Sequence, residues 1–261
     1  MTFSFNVRGL TPQDAQTGGG GTTPTPIPTL DPAKAAGICF WIDGQYNTRA
    51  GKDNTKTYLE NLCWNNIQSN VDGNLEYFTN TNQNVWDGDY LKLGTYAYYP
   101  WVFNQNVTLE ATIKISETQH AARMVFSTAY RSGFYLQINS ANKVVFGFRQ
   151  GDKYINITSD IELEYNKPYY IGATLDTHSN KAVLNVFSID KNEKKTTVIE
   201  SALVNATGAN SGVGTQAMSG TAMNGERWDG LSIGMIRCWN RALTDSEIQE
   251  NYEDCKKRFN F

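Results

Sequence analysis

Between residues 107 and 239 the chain is a succession of short segments in which apolar and polar residues alternate, most of them closed by a turn. A period of two puts one set of side chains on one face of a strand and the other set on the opposite face. VTLEATIKI is the cleanest case. Val107, Leu109, Ala111, Ile113 and Ile115 face one way, and Thr108, Glu110, Thr112 and Lys114 face the other. Further strands are predicted at 124–128, 134–138, 144–149, 154–158, 169–176, 182–189 and 231–239. Turn sequences separate several of them: Arg131-Ser132-Gly133, Ser140-Ala141-Asn142, Gln150-Gly151-Asp152 and Thr177-His178-Ser179-Asn180. Many short strands joined by hairpin turns imply an all-β, two-sheet antiparallel jelly-roll sandwich rather than βαβ units. One short C-terminal helix is also signalled. Thr244 with Glu247 forms a capping box, Lys256, Lys257 and Arg258 suit the negative end, and Ile248, Tyr252, Cys255 and Phe259 make one apolar stripe.

Residues 1–37 read differently. They hold Pro12, Pro24, Pro26, Pro28 and Pro32, five of the 7 prolines, and the run Gly18 to Gly21. That is a glycine hinge followed by a stiffer Thr/Pro spacer. Ahead of it Phe3, Phe5 and Val7 alternate with Ser4 and Asn6, a pattern able to add to a sheet edge. The division is therefore an extended N-terminal arm and linker at 1–37 and a jelly roll at 38–261. Residues 202–225 are small, polar and glycine-rich without a period, and are expected to form a long loop.

Composition narrows the function. With 23 Lys plus Arg against 26 Asp plus Glu, no basic excess exists to displace phosphate counterions, so neither nucleic-acid binding nor docking on an anionic membrane is expected. No run approaches the ~20 apolar residues of a membrane helix. The opening MTFSFNVRGL lacks the basic and apolar regions of a secretory signal, so synthesis in the cytoplasm is expected. The 4 cysteines, Cys39, Cys63, Cys238 and Cys255, lack zinc spacing and are read as buried free thiols, with Cys238 and Cys255 the most plausible pair if a disulfide forms. The sequons at Asn106, Asn156 and Asn205 are about what chance supplies.

Three stretches carry a family resemblance: NVWDGDYLKL from Asn84 to Leu93, the strand run VTLEATIKI, YNKPYYIGATLD and AVLNVF, and WDGLSIGMIRCWNRALTDSEIQENY from Trp228 to Tyr252. GICFWIDGQYNTRAGKDNTKTYLENLCWNN resembles the lead-in strand of bacterial and phage versions. Together they resemble the laminin-G-like jelly rolls of the concanavalin A-like lectin/glucanase superfamily, from about Gly37 to Phe261. The resemblance implies a fold and says little about activity. Where such domains often carry a Tyr-Val-Asp-Gly turn, this chain has Val186-Phe187-Ser188-Ile189-Asp190.

The glycosidases of that superfamily need two carboxylates flanking the cleaved bond. Their Glu-x-Asp-x-x-Glu pattern is missing, and the nearest set, Asp160, Glu162 and Glu164, reads as a solvated face. No nucleophile elbow or phosphate loop appears, and His120 and His178 sit in polar turn contexts. No catalytic residue is expected. The resemblance raises calcium, for which Asp87 and Asp89 could supply oxygens, although Asp87-Gly88 equally makes a turn. Glycan contacts are expected from loop aromatics and their polar neighbours: Tyr96, Tyr99 and Trp101 in the cluster 96–101, and Trp228 with Asp229 beside the long loop. Alternate members of the cluster must point opposite ways. A tethered arm ahead of a lectin-like head is the layout of a bacteriophage virion surface protein, a capsid decoration or tail fibre subunit. Phe3, Phe5 and Val7 would anchor it to other virion proteins, a homo-oligomer would form, and the head would engage host or mucosal glycans. A purely structural subunit without ligand has the same layout, and a glycoside hydrolase is the remote alternative.

Overall fold

The computed structural model describes residues 36–48, 51–53, 55, 58–60, 62, 77–79, 86–92, 97–99, 106–116, 122–128, 133–150, 153–200, 211–213 and 230–259. Its elements run β1 (Ile38–Asp43), β2 (Tyr58–Glu60), β3 (Tyr77–Thr79), β4 (Trp86–Asp87), β5 (Tyr90–Lys92), β6 (Ala97–Tyr99), β7 (Val107–Ile115) and β8 (Ala122–Thr128). They continue β9 (Phe134–Asn139), β10 (Lys143–Gln150), β11 (Lys153–Glu162), β12 (Tyr169–Asp176), β13 (Lys181–Ser188), β14 (Glu193–Glu200), β15 (Ser211–Val213), β16 (Leu231–Trp239) and α1 (Asp245–Arg258). The larger sheet has the order β14-β13-β12-β7-β16-β5-β4, with β1 also paired to β16. The smaller has the order β11-β10-β9-β8-β15-β6, and β2 with β3 forms a separate pair. The arm, with Phe3, Phe5 and Val7, lies outside the described residues.

The alternation of β7 decides the layering. Val107, Leu109, Ala111, Ile113 and Ile115 all enter the core between the sheets, against Phe134, Leu136, Phe146 and Phe148 of the smaller sheet. The opposite face of β7 is not solvated. Thr108, Glu110 and Thr112 are each fully buried beneath α1. A second apolar cluster there joins Trp41, Tyr170, Phe187, Met235 and Trp239 to Ile248, Tyr252, Cys255 and Phe259, the stripe expected of the helix. Tyr252 stacks on Phe187 with ring centroids 4.3 Å apart. Each such burial contributes roughly 1.5–3 kcal/mol. The capping box of Thr244 and Glu247 is formed. A Cβ on Gly172 would stand 2.9 Å from Ile248 Cγ2, so the bare glycine lets the helix settle onto β12.

A polar network ties helix to sheet. The Glu110 carboxylate accepts from Tyr170 Oη at 2.5 Å, Asn251 Nδ2 at 2.9 Å and Trp239 Nε1 at 3.0 Å. Burial raises its pKa from the ordinary 4.5, against the opposing pull of Arg237 and the three donors. Arg237 stands directly across from Glu110 and from Trp41 in the strand register. Its guanidinium lies over the Trp41 ring at 4.9 Å and 3.7 Å from Asp254, held by charge and ring rather than by hydrogen bonds. Beside it Arg258 pairs with the buried Asp43, which also accepts from Trp41 Nε1 at 3.1 Å.

Two strands depart from the sequence reading. The 202–225 loop contains β15, three residues that pair with both β6 and β8. Residues 193–200 are not among the predicted strands, yet they form the eight-residue edge strand β14. The reading of Cys238 and Cys255 as buried thiols outside a disulfide holds: Cys238 lies in the core between the sheets and Cys255 in the second cluster on α1, on opposite faces of the larger sheet.

Glu110→Gln keeps an acceptor for Tyr170 and Asn251 but turns an amide donor toward Trp239. A loss of roughly 1–3 kcal/mol in urea denaturation is expected. The pH dependence has two limbs of opposite sign. Because Glu110 binds its proton more tightly when folded, its stabilisation is full below pH 4.5 and is lost as pH rises through its folded pKa; Glu110→Gln should flatten that limb. Glu247, held down to about 2 by Arg241 and the capping bonds, stabilises above pH 4.5 and loses this as pH falls toward 2; Glu247→Gln should weaken the acid limb. Burial also pushes the Cys255 thiol up to about 11. Peptide-level mass spectrometry after native alkylation should find Cys238 and Cys255 unmodified, and labelled once the chain is unfolded.

Candidate functional site

With α1 covering the outer face of the central strands of the larger sheet, the outer face of the smaller sheet is where described aromatic side chains and their polar neighbours meet solvent together. Along β9 the core takes Phe134, Leu136 and Ile138, which leaves Tyr135, Gln137 and Asn139 half-buried on the other side. Along β11 the residues Tyr154, Asn156, Thr158, Asp160 and Glu162 are all exposed. The register places Tyr135, Gly147 and Asn156 in one row across β9, β10 and β11. A Cβ at position 147 would overlap Cζ, Cε1 and Oη of Tyr135, so the ring lies across the glycine. At its far end Tyr135 Oη donates to Asn156 Oδ1 at 2.7 Å.

This geometry fixes an aromatic ring in the plane of a sheet. A tyrosine rooted on one strand and hydrogen-bonded two strands away is pre-organised, so a ligand stacking on it loses little side-chain entropy. Because Asn156 Oδ1 is taken by Tyr135, its amide donors are left for ligand acceptors. Thr158 and Gln137 stand in the next row, on either side of Val145. Tyr154, 47% exposed, lies two residues along the same strand face as Asn156. A rigid aromatic surface with convergent hydroxyl and amide groups suits a polyhydroxylated ligand.

A family model described as the concanavalin A-like lectin/glucanases superfamily matches residues 82–249. The chain belongs to this superfamily. No curated protein matches it. Among solved structures it is similar to the Ruminococcus gnavus IT-sialidase CBM40 bound to α2,3-sialyllactose, with 14% identity, 61% of this chain and 93% of that one covered, and a TM-score of 0.48. It is also similar to the binding domain of botulinum neurotoxin DC in complex with SialylT, at 14% identity, 61% and 46% coverage and a TM-score of 0.42. The LG1-3 region of the laminin α2 chain matches at 14% identity, 56% and 30% coverage and a TM-score of 0.43.

Within this lectin-like fold the residues singled out in the sequence fare unevenly. Tyr96, Trp101, Trp228 and Asp229 lie outside the described residues. Tyr99 stands at the register position of Ser211 and Thr128; its neighbour Tyr98, through Gly212 and Ser127, holds the row that carries Tyr135. Asp160, Glu162 and Glu164 are exposed, and Glu164 pairs with Lys191. Asp87 ends β4 and pairs with Tyr90, and Asp89 is the second residue of the two-residue turn Gly88-Asp89, with Gly88 at φ 58°; of Asp87 only the backbone is described. The Asp89 carboxylate accepts from Lys52 Nζ and Gln45 Nε2, each at 3.2 Å. Those neighbours are an ammonium and an amide N–H, both donors, so the surroundings of Asp89 do not fit a calcium ion. Among the described residues no three His, Cys, Asp or Glu side chains gather around one point.

The sequence reading named neither Tyr135 nor Asn156 as a site residue; Asn156 entered it only as a sequon. The available signal was Gly147 within an apolar run on a predicted strand, which marks a close approach by another group.

Proposed function

We propose that this chain is a non-enzymatic glycan-binding head. The observation that carries the reading is Tyr135 laid across Gly147 and held by Asn156 on the solvent face of the smaller sheet. Sugar rings present axial C–H groups to an aromatic face and hydroxyls to amides at its edge, which is the chemistry this face offers. The carboxylates support binding without cleavage. Glu110 and Asp43 are sealed beneath α1, and the candidate set at 160–164 stands on a sheet edge in open solvent, with Glu164 in an ion pair.

The arm extends the proposal. Its short alternating segment, glycine run and Thr/Pro spacer suit a tether. We place the protein on a bacteriophage virion surface, as a capsid decoration or fibre subunit. Phe3, Phe5 and Val7 join it to other virion proteins and the head is presented outward. Many copies on one particle turn weak single-site affinity into useful avidity.

A glycan array probed with multivalent full-length protein identifies the glycan class. Monovalent calorimetry then tests the site. Tyr135→Ala and Asn156→Ala should each weaken binding by about tenfold or more. Gly147→Ala, which pushes the tyrosine off its seat, should do the same with far-ultraviolet dichroism unchanged. Binding that survives all three but fails in Trp228→Ala moves the site to the long loop. A blank array at high valency favours a purely structural subunit. Deleting residues 1–21 should leave a folded head that no longer joins the particle.

A further inference from the structure

β14 is the end strand of the larger sheet, and among the described residues it pairs only with β13. Six of its 8 residues are exposed. β11, the end strand of the smaller sheet, packs against it, so the open edges of both sheets share one side of the sandwich. Val198 on β14, 43% exposed, is one of two large apolar residues left in solvent among the described residues. An edge with unpaired amides and carbonyls accepts another strand unless it is blocked; β14 contains no proline or register shift, and its charges, Glu193, Lys194, Lys195 and Glu200, are of both signs, so they turn away a mismatched strand but can be matched by a complementary one.

We propose that two copies of this chain pair edge to edge through β14, antiparallel, across a two-fold axis at Thr197. Lys194, Thr196, Val198 and Glu200 share the helix-side face, because they stand opposite Phe187, Asn185, Val183 and Lys181 of β13. A two-fold axis perpendicular to the sheet keeps like faces together, so only registers centred on a residue are allowed. Centred on Lys195, the strand opposes one lysine to its copy. Centred on Thr196, it sets Lys194 against Val198. Centred on Val198, it sets Thr196 against Glu200. The Thr197 register alone among these opposes Lys194 to Glu200, and symmetry makes that pair twice. It also places Val198 against Thr196, covering the exposed valine, while Lys195 lies along Ile199. The inference does not rest on the glycan reading, although a dimer would present two tyrosine faces at once.

Sedimentation equilibrium of the full 261-residue chain tests this. The expected result is a monomer–dimer equilibrium. Lys194→Glu and Glu200→Lys should each raise the dimer dissociation constant about tenfold or more, and the double reversal should return it to within about threefold of the starting value. All four proteins should keep the same far-ultraviolet dichroism, since both side chains are exposed. A monomer at every concentration overturns the proposal. So does a dimer indifferent to the reversals, a dimer that the double reversal fails to restore, or one abolished only by deleting residues 1–35.

Discussion

The buried carboxylate of Glu110 holds the upper layer of this protein in place. A carboxylate removed from water is costly unless its oxygens are satisfied. Here the donors come from three separate elements: Tyr170 on β12, Trp239 on β16 and Asn251 on α1. Removing Glu110 would take this acceptor from all three donors at once. The capping box sets where α1 starts, and the apolar stripe sets which face turns inward. Neither says where on the sheet the helix lands. Asn251 reaching Glu110, and Ile248 settling onto Gly172, supply that address.

Covering one sheet has a consequence for the other. The central strands of the larger sheet are buried on both faces, by the sandwich core beneath and by α1 above, and only its edge strand β14 is largely exposed among the described strands with a burial pattern. The smaller sheet is buried on one, and its other face carries the half-exposed tyrosine and the amides and hydroxyls of β9 and β11. The same device serves both sheets. A glycine on a central strand removes the Cβ where something must approach closely: Ile248 at Gly172, and the Tyr135 ring at Gly147. In the first case the approach anchors a helix; in the second it flattens a ring against the sheet, where a ligand can lie upon it.

Much of the sandwich was legible. The strands at 169–176 and 231–239 coincide with β12 and β16, and the helix signals at Thr244, Glu247 and the apolar stripe mark α1 correctly. These rest on local rules of period and capping that act within a few residues. β14 was not legible because EKKTTVIE is an edge strand whose partner, not its pattern, makes it a strand. The outer face of β7 misleads for a related reason. Thr108, Glu110 and Thr112 have the composition of a wet face, and only the arrival of α1, more than a hundred residues later, buries them. In β16 the register shifts between Ile233 and Met235, so a uniform alternation assigns one half of the strand to the wrong side. The candidate site was the least visible part, since Tyr135 and Asn156 are separated by 21 residues and meet only because β9 and β11 flank β10.

The sequence by itself determined that this chain is an all-β sandwich closed by one amphipathic helix, because period, turn residues and caps are local and strong. It also determined the family, because the stretches that carry the resemblance are contiguous runs, which become β4, β5, β7, β12, β13, β16 and the closing helix. Tertiary structure decided everything that depends on which strands become neighbours. It put Cys238 and Cys255 on opposite faces, gave Asp89 a lysine for a neighbour, sealed Glu110 beneath α1, and laid Tyr135 across Gly147. Those outcomes follow from strand order and register, which arise from long-range pairing and which no window along the chain contains.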